Sequence, residues 1–254
     1  MVEITASEVG RWLDLLYIAA PGADLRQEDR RKALEVAAML AEVGRAVRRF
    51  SSRSPLVLID AAAGKSYLGL LSAKLLLEPM GRSATVVTIE RDPRRAALSR
   101  RAAARLETTI PIECRVADLS AVEAWPERPS IVAALHACGP AADAVIEQAI
   151  ATKARMLLLV PCCTSNAVAA ANRAEEMAVR LGIPRQGPVR RRFIQALVDA
   201  ERTWNLEAAG YETEVVEFVG ATVTPHNLLW RSRLVAEPKR MAAARRARQV
   251  SAQK

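Results

Sequence analysis

Leu56-Val57-Leu58-Ile59-Asp60-Ala61-Ala62-Ala63-Gly64-Lys65-Ser66 is the stretch on which the fold turns. Its apolar run reads as a buried strand that ends on an acidic residue. Small residues and one glycine follow, which let a ligand approach the backbone closely. Residues 67–77 then carry a helical pattern. Downstream, 84–90 is a strand rich in Val, Thr and Ile, and 93–106 is a helix with Pro93 in its tolerated first position. Strands are expected at 110–116, 131–135 and 156–160, and helices at 141–151, 167–181 and 190–209. The last two strands, 212–218 and 228–235, are joined by a short loop and are expected to pair antiparallel. Repeated strand–helix units with a closing hairpin make this an α/β protein with a doubly wound sheet.

Upstream, Val9, Trp12, Leu13, Leu16 and Tyr17 fall at helical spacing, and Pro21-Gly22 breaks that helix. A second amphipathic helix is expected over 27–49, with Leu34, Ala37, Ala38, Ala41 and Val43 facing inward. The domain reading is an N-terminal helical cap over 1–53, the α/β domain over 54–236, and a basic tail over 237–254. The tail is poor in apolar residues and is expected to be disordered or a frayed helix.

The 254 residues are 51% hydrophobic, enough for a sizeable core, and carry a net charge of +9. The pI of about 9.9 admits a polyanionic partner; an Arg-rich composition that merely fills solvated faces is the alternative. Four cysteines, two of them adjacent, do not form a disulfide framework, so reduced thiols are expected. Residues 1–12 show no signal-peptide pattern. No uncharged apolar run approaches the roughly 18 residues of a membrane span. The expectation is a cytoplasmic protein without a membrane partner.

Gly64-Lys65-Ser66 invites a phosphate-loop reading, but that loop needs a glycine where Ile59 stands. Asp60, Glu90 and Asp118 end three successive strands. A carboxylate at Glu90 is placed to accept both hydroxyls of a ribose, and one at Asp118 to face an adenine amino group. Singly, such residues are often helix caps or turn residues. In register, they mark an adenosine-containing cofactor, with Asp60, Ala61, Gly64, Lys65, Glu90 and Asp118 as its binding residues. The single glycine argues against a dinucleotide.

Leu135-His136-Ala137-Cys138-Gly139-Pro140-Ala141-Ala142-Asp143 and Val160-Pro161-Cys162-Cys163-Thr164 each follow a predicted strand. If those strands are parallel neighbours, one His and three Cys meet at the carboxyl edge of the sheet. Zinc would suit the residue types. It does not suit the spacing, because His-x-Cys and adjacent Cys-Cys lack a knuckle, and no metal is assigned. Buried core thiols and a satisfied histidine are the remaining reading. Arg190, Arg191 and Arg192, with Arg245 and Arg246 of the tail, form clusters that bind phosphates without reading sequence.

Taken together, 55–235 resembles the Rossmann-like class I S-adenosylmethionine-dependent methyltransferases. Asp60 to Ser66, Glu90 and Asp118 stand where that fold keeps its first three cofactor motifs, with Ala61 and Ala63 in place of the family's glycines. The His-x-Cys-Gly and Pro-Cys-Cys elements, and Thr224-Pro225-His226-Asn227, resemble one branch of methyltransferase-like proteins. That branch includes tRNA 2′-O-methyltransferases and a methyltransferase domain joined to a glutathione-transferase-like domain. The zinc-finger appendages of its tRNA-modifying members are not seen. The resemblance implies S-adenosyl-L-methionine as cofactor and RNA, first of all tRNA, as partner. It implies that His136, Cys138, Asp143, Cys162 and Cys163 shape the methyl-transfer pocket, with His136 also beside the cofactor. Methyl transfer to a protein or small molecule, cofactor binding without turnover, and a zinc-stabilised RNA-binding module are the alternatives.

Overall fold

The computed structural model describes residues 4–17, 27–161, 165–224 and 226–253. Among them the strands β1 (Leu56–Ala61), β2 (Ala84–Glu90), β3 (Ile112–Val116), β4 (Ile131–Leu135), β5 (Met156–Val160), β6 (Tyr211–Glu217) and β7 (Leu228–Leu234) form one sheet. Its order is β3-β2-β1-β4-β5-β7-β6. The first five strands are parallel. Strand β7 runs antiparallel between β5 and β6. The expected doubly wound sheet with a terminal antiparallel pair is therefore present.

The central strands read as continuous apolar runs because helices cover both faces. On β4, Ile131 and Ala133 face one core and Val132 and Ala134 the other. The first core holds the helices α1 (Ala6–Tyr17), α2 (Gln27–Val47) and α3 (Tyr67–Ser72). The helix α4 (Pro93–Arg105) lies at its edge through Ala102. The second core holds α5 (Pro140–Ala151) and the rear of α7 (Gly187–Ala208). The α6 helix (Ala169–Arg180) packs on α7 through a small cluster around Val168, Ala171 and Val198. Residues 73–77 continue α3 as a π-helical turn. Asp92 caps α4 by accepting from the Arg94 amide at 2.8 Å, ahead of Pro93. The outer strand β6 is guarded by charge: Glu212 and Glu214 stand opposite Arg233 and Arg231 on β7 and pair with them.

Two expectations need correction. The inward face of α2 is the expected one only in part: Ala37 and Val43 are buried as expected, but Leu34 is exposed and Ala41 also faces solvent, while Ala33, Val36, Met39, Leu40 and Val47 complete the buried face. The buried face also takes in Glu35 and Glu42, whose charge shifts the apparent apolar stripe by part of a turn. The α2 helix lies across β4 and β5 as part of the sheet's covering layer. Of the two readings of the tail, disordered or a frayed helix, the described residues show the helix and not disorder. Helix α8 (Pro238–Gln253) packs along α7, with Ala244 buried and Arg240 paired to Glu207 and Glu212.

Candidate cofactor and acceptor site

The carboxyl ends of β1, β2, β4 and β5 converge on one edge, where open α/β sheets bind ligands. After β1 the chain turns through three left-handed residues, Ala62 (φ 54°), Gly64 (φ 58°) and Ser66 (φ 60°). Glycine adopts this conformation without strain, whereas Ala62 and Ser66 do so at a cost. The turn is held from below: the Ala63 amide donates to the Ile89 carbonyl at 3.0 Å, and Ser66 Oγ bonds Ser99 Oγ at 3.0 Å. From above, the Tyr17 hydroxyl donates to the Lys65 carbonyl at 2.5 Å, and its ring packs edge-on against Tyr67. Burial, first of all, drives the Tyr17 hydroxyl pKa upward, so it stays a donor.

Asp60 is 3% exposed and accepts from the Gly69 amide at 2.8 Å. Its carboxyl is pushed up to about 7 by burial, with Glu90 adding to the rise and the Gly69 amide opposing it. Sequence reasoning missed Gly69. A Cβ there would lie 3.0 Å from the Asp60 carboxylate and 3.1 Å from Thr88 Cγ2, so a larger residue would have to push its neighbours back by a few tenths of an ångström.

Glu90 is buried, and each oxygen is engaged. Oε2 accepts from the Gly64 amide at 2.7 Å and Oε1 from the Asp92 amide at 2.8 Å. Asp118 is exposed and accepts from the Ser120 amide at 3.0 Å and hydroxyl at 2.7 Å. The backbone bond first, then the hydroxyl, holds its carboxyl below the usual range. A cavity of about 360 Å³ opens above the turn. Asp60, Gly64, Lys65 and His136 line it, while Ala61 is buried beneath; Glu90 and Asp118 are not in its wall. The volume falls in the range of small-molecule sites. The buried Asp60 carboxylate in this wall suits a ligand with hydroxyl donors or a positive centre, and the cofactor that the sequence implies carries both.

At the end of β4, His136 takes φ 66° while its amide still donates to the Val160 carbonyl at 3.0 Å. Its Nε2 lies 2.8 Å from Oε2 of Glu35 on α2. Gly139 is left-handed (φ 54°), and a Cβ there would meet the Ser165 side chain at 2.9 Å. Asp143, in the first turn of α5, accepts from Arg202 of α7 at 2.8 Å. Cys138 is disulfide-bonded, so the expectation of reduced thiols fails there, while Cys114 is a free, half-buried thiol in β3. Cys162 and Cys163 lie outside the described residues, as does Pro225. Among the described residues, no group of three or more His, Cys, Asp and Glu is arranged to hold a metal.

The proposed phosphate-binding arginines divide. Arg190 is spent on α6, pairing with Glu175 at 2.7 Å and donating to the Ile183 carbonyl at 2.9 Å. Arg191, Arg192, Arg245 and Arg246 are exposed. No helix among the described residues is long and apolar enough to cross a membrane.

This topology, five parallel strands closed by an antiparallel pair, is the Rossmann-like fold of the methyltransferases. The chain belongs to the methyltransferase-domain family, whose profile matches residues 31–170, and it is an S-adenosylmethionine-dependent methyltransferase. Among solved structures it is similar to the magnesium protoporphyrin IX methyltransferase of Synechocystis PCC 6803, solved with bound S-adenosylhomocysteine. The two are 11% identical with a TM-score of 0.50, covering 91% of this chain and 96% of that one. The Podospora anserina methyltransferase PaMTH1 is 12% identical with a TM-score of 0.51, covering 91% and 87%. At these identities the likeness is one of fold. No curated protein matches the chain significantly.

Proposed function

We propose that this methyltransferase acts on RNA, with tRNA the first choice. The observation that carries the reading is the set of exposed cations, Arg191 and Arg192 on α7 and Arg245 and Arg246 on α8, on a chain of net charge +9. Arg245 and Arg248 also border a groove along α5 that reaches Asp143, in the first turn after the His136 loop. The branch resemblance carried by His136-Ala137-Cys138-Gly139 supports the same acceptor.

In this reading the cofactor supplies an electrophilic methyl group. Asp60, Ala61, Gly64 and Lys65 form its cradle, with Glu90 toward the ribose hydroxyls and Asp118 toward the adenine amino group. His136, Cys138 and Asp143 bound the acceptor side, and Cys162 and Cys163, outside the described residues, are assigned to it from the sequence alone. The chain's work is chiefly positioning and exclusion of water, which suits methyl transfer. His136 takes the proton from a hydroxyl or amine acceptor, as an imidazole can near neutral pH.

The test is RNA binding by fluorescence anisotropy across a salt series. Replacing Arg191, Arg192, Arg245 and Arg246 together by Gln should weaken binding and flatten the slope of log affinity against log salt. The slope should fall by about 0.7 to 0.9 for each phosphate that the variant no longer neutralises. Equal affinity and slope would move the acceptor to a protein or a small molecule.

A further inference from the structure

We infer that Glu35 is a positioning residue for His136: its buried carboxylate fixes the ring and tautomer of the imidazole on the acceptor side. The inference rests on the reading of His136 as an acceptor-side group and deepens it. It starts from a break in alternation. On β4, Ile131, Ala133 and Leu135 face the core that contains α2, and Val132 and Ala134 face the α5 side. Period-two geometry would send residue 136 to the α5 side. The left-handed backbone of His136, φ 66°, cancels that step. The imidazole instead reaches α2, 2.8 Å from Glu35. A left-handed non-glycine costs energy and persists only where its surroundings over-determine it.

The second observation is a contrast on one helix face. Glu35 and Glu42 lie two turns apart on α2, both 4% exposed. Glu42 is neutralised by arginine: Arg231 donates to both of its oxygens at 2.7 and 2.8 Å, and Arg45 pairs with it as well. That is how a structural carboxylate is kept in a core. Glu35 has no arginine. Among the described residues its side-chain partner is His136, whose own side chain is 32% exposed at the wall of the cavity. A buried carboxylate that meets one imidazole at a ligand cavity is arranged to orient that ring. In the neutral ring, an Nε2 proton directed at Glu35 makes Nδ1 the nitrogen that carries no proton.

The sequence has two histidines, so the test is direct. In protein labelled with ¹⁵N at the imidazoles, at a pH above the ordinary histidine range, His136 should show the Nε2–H tautomer. A His226→Gln variant assigns the two spectra. In Glu35→Ala, His136 should move to a mixture of tautomers while His226, which is bonded to Gln195, stays unchanged. In transfer of labelled methyl to RNA, the same variant should lose about 10²-fold or more in kcat, the scale of general-base assistance. Its KM for the cofactor should hold. An Nδ1–H tautomer in the wild type overturns the inference whether or not the variant folds. So does an unchanged spectrum, or unchanged kcat, in Glu35→Ala. The ring measurement needs no acceptor and therefore judges Glu35 alone. A wild type that methylates no RNA counts instead against the acceptor reading.

Discussion

Arg202 Nε donates to the Asp143 carboxylate at 2.8 Å, and its side chain is only 3% exposed against 33% for Asp143. This pair ties the start of α5 to the middle of α7. Arg202 also reaches the Gly139 carbonyl at 3.4 Å and Asp199 at 3.6 Å. Asp199 already has its carboxyl pushed up to about 6, by burial against the opposing pull of Arg202. The Arg202→Met variant strands both carboxylates. It should lose about 2–4 kcal/mol of stability in urea unfolding, toward the lower part of the range for a broken buried pair because water reaches Asp143. A loss below about 0.5 kcal/mol would mean that the pair does not anchor the His136–Asp143 loop.

Glu90 joins the turn after β1 to the start of α4 through its bonds to the Gly64 and Asp92 amides. Glu90→Ala should weaken S-adenosylhomocysteine binding by about 1.5–3 kcal/mol, the worth of hydrogen bonds to a charged acceptor. Calorimetry reads this directly. Unchanged affinity would remove Glu90 from the cofactor site.

Asp60 makes stability depend on pH. Burial raises its carboxyl from 3.8 to about 7. The folded chain therefore keeps a proton that the unfolded chain loses between these values. The stability contribution is fully present below pH 3.8, falls as pH rises toward 7, and is constant beyond. Asp60→Asn should remove this fall. Relative to wild type it should gain on the order of 2–4 kcal/mol between pH 4 and pH 8. Urea unfolding at the two pH values measures it, and parallel pH dependence in both proteins would show the carboxyl ionised throughout.

Most of the fold was legible because each central strand is an unbroken apolar run, from Leu56 to Ile59, Ile131 to Leu135 and Met156 to Val160, followed by a helix of clear period. The acidic strand ends, Asp60 and Glu90, were legible for the same reason. What escaped was set by partners distant in sequence. The phase of α2 was hidden because Glu35 and Glu42 face inward, toward His136 and Arg231, and their charge argues for solvent when read alone. Gly69 looks like an ordinary helix residue, and its role exists only against Asp60. Arg190 looks like a free cation until α6 places Glu175 beside it. The tail's few apolar residues hide a helix that needs α7 to pack against.

The most direct measurement of the account is mass spectrometry of nucleosides from the tRNA of a deletion strain and its parent, followed by incubation of the deletion-strain tRNA with purified protein and S-adenosylmethionine. The account predicts one methylated nucleoside missing from the deletion strain, restored by the wild-type protein and, at limiting S-adenosylmethionine, restored more slowly by Glu90→Ala. Identical nucleoside profiles in the two strains, with no methyl transferred to the deletion-strain tRNA, would contradict it.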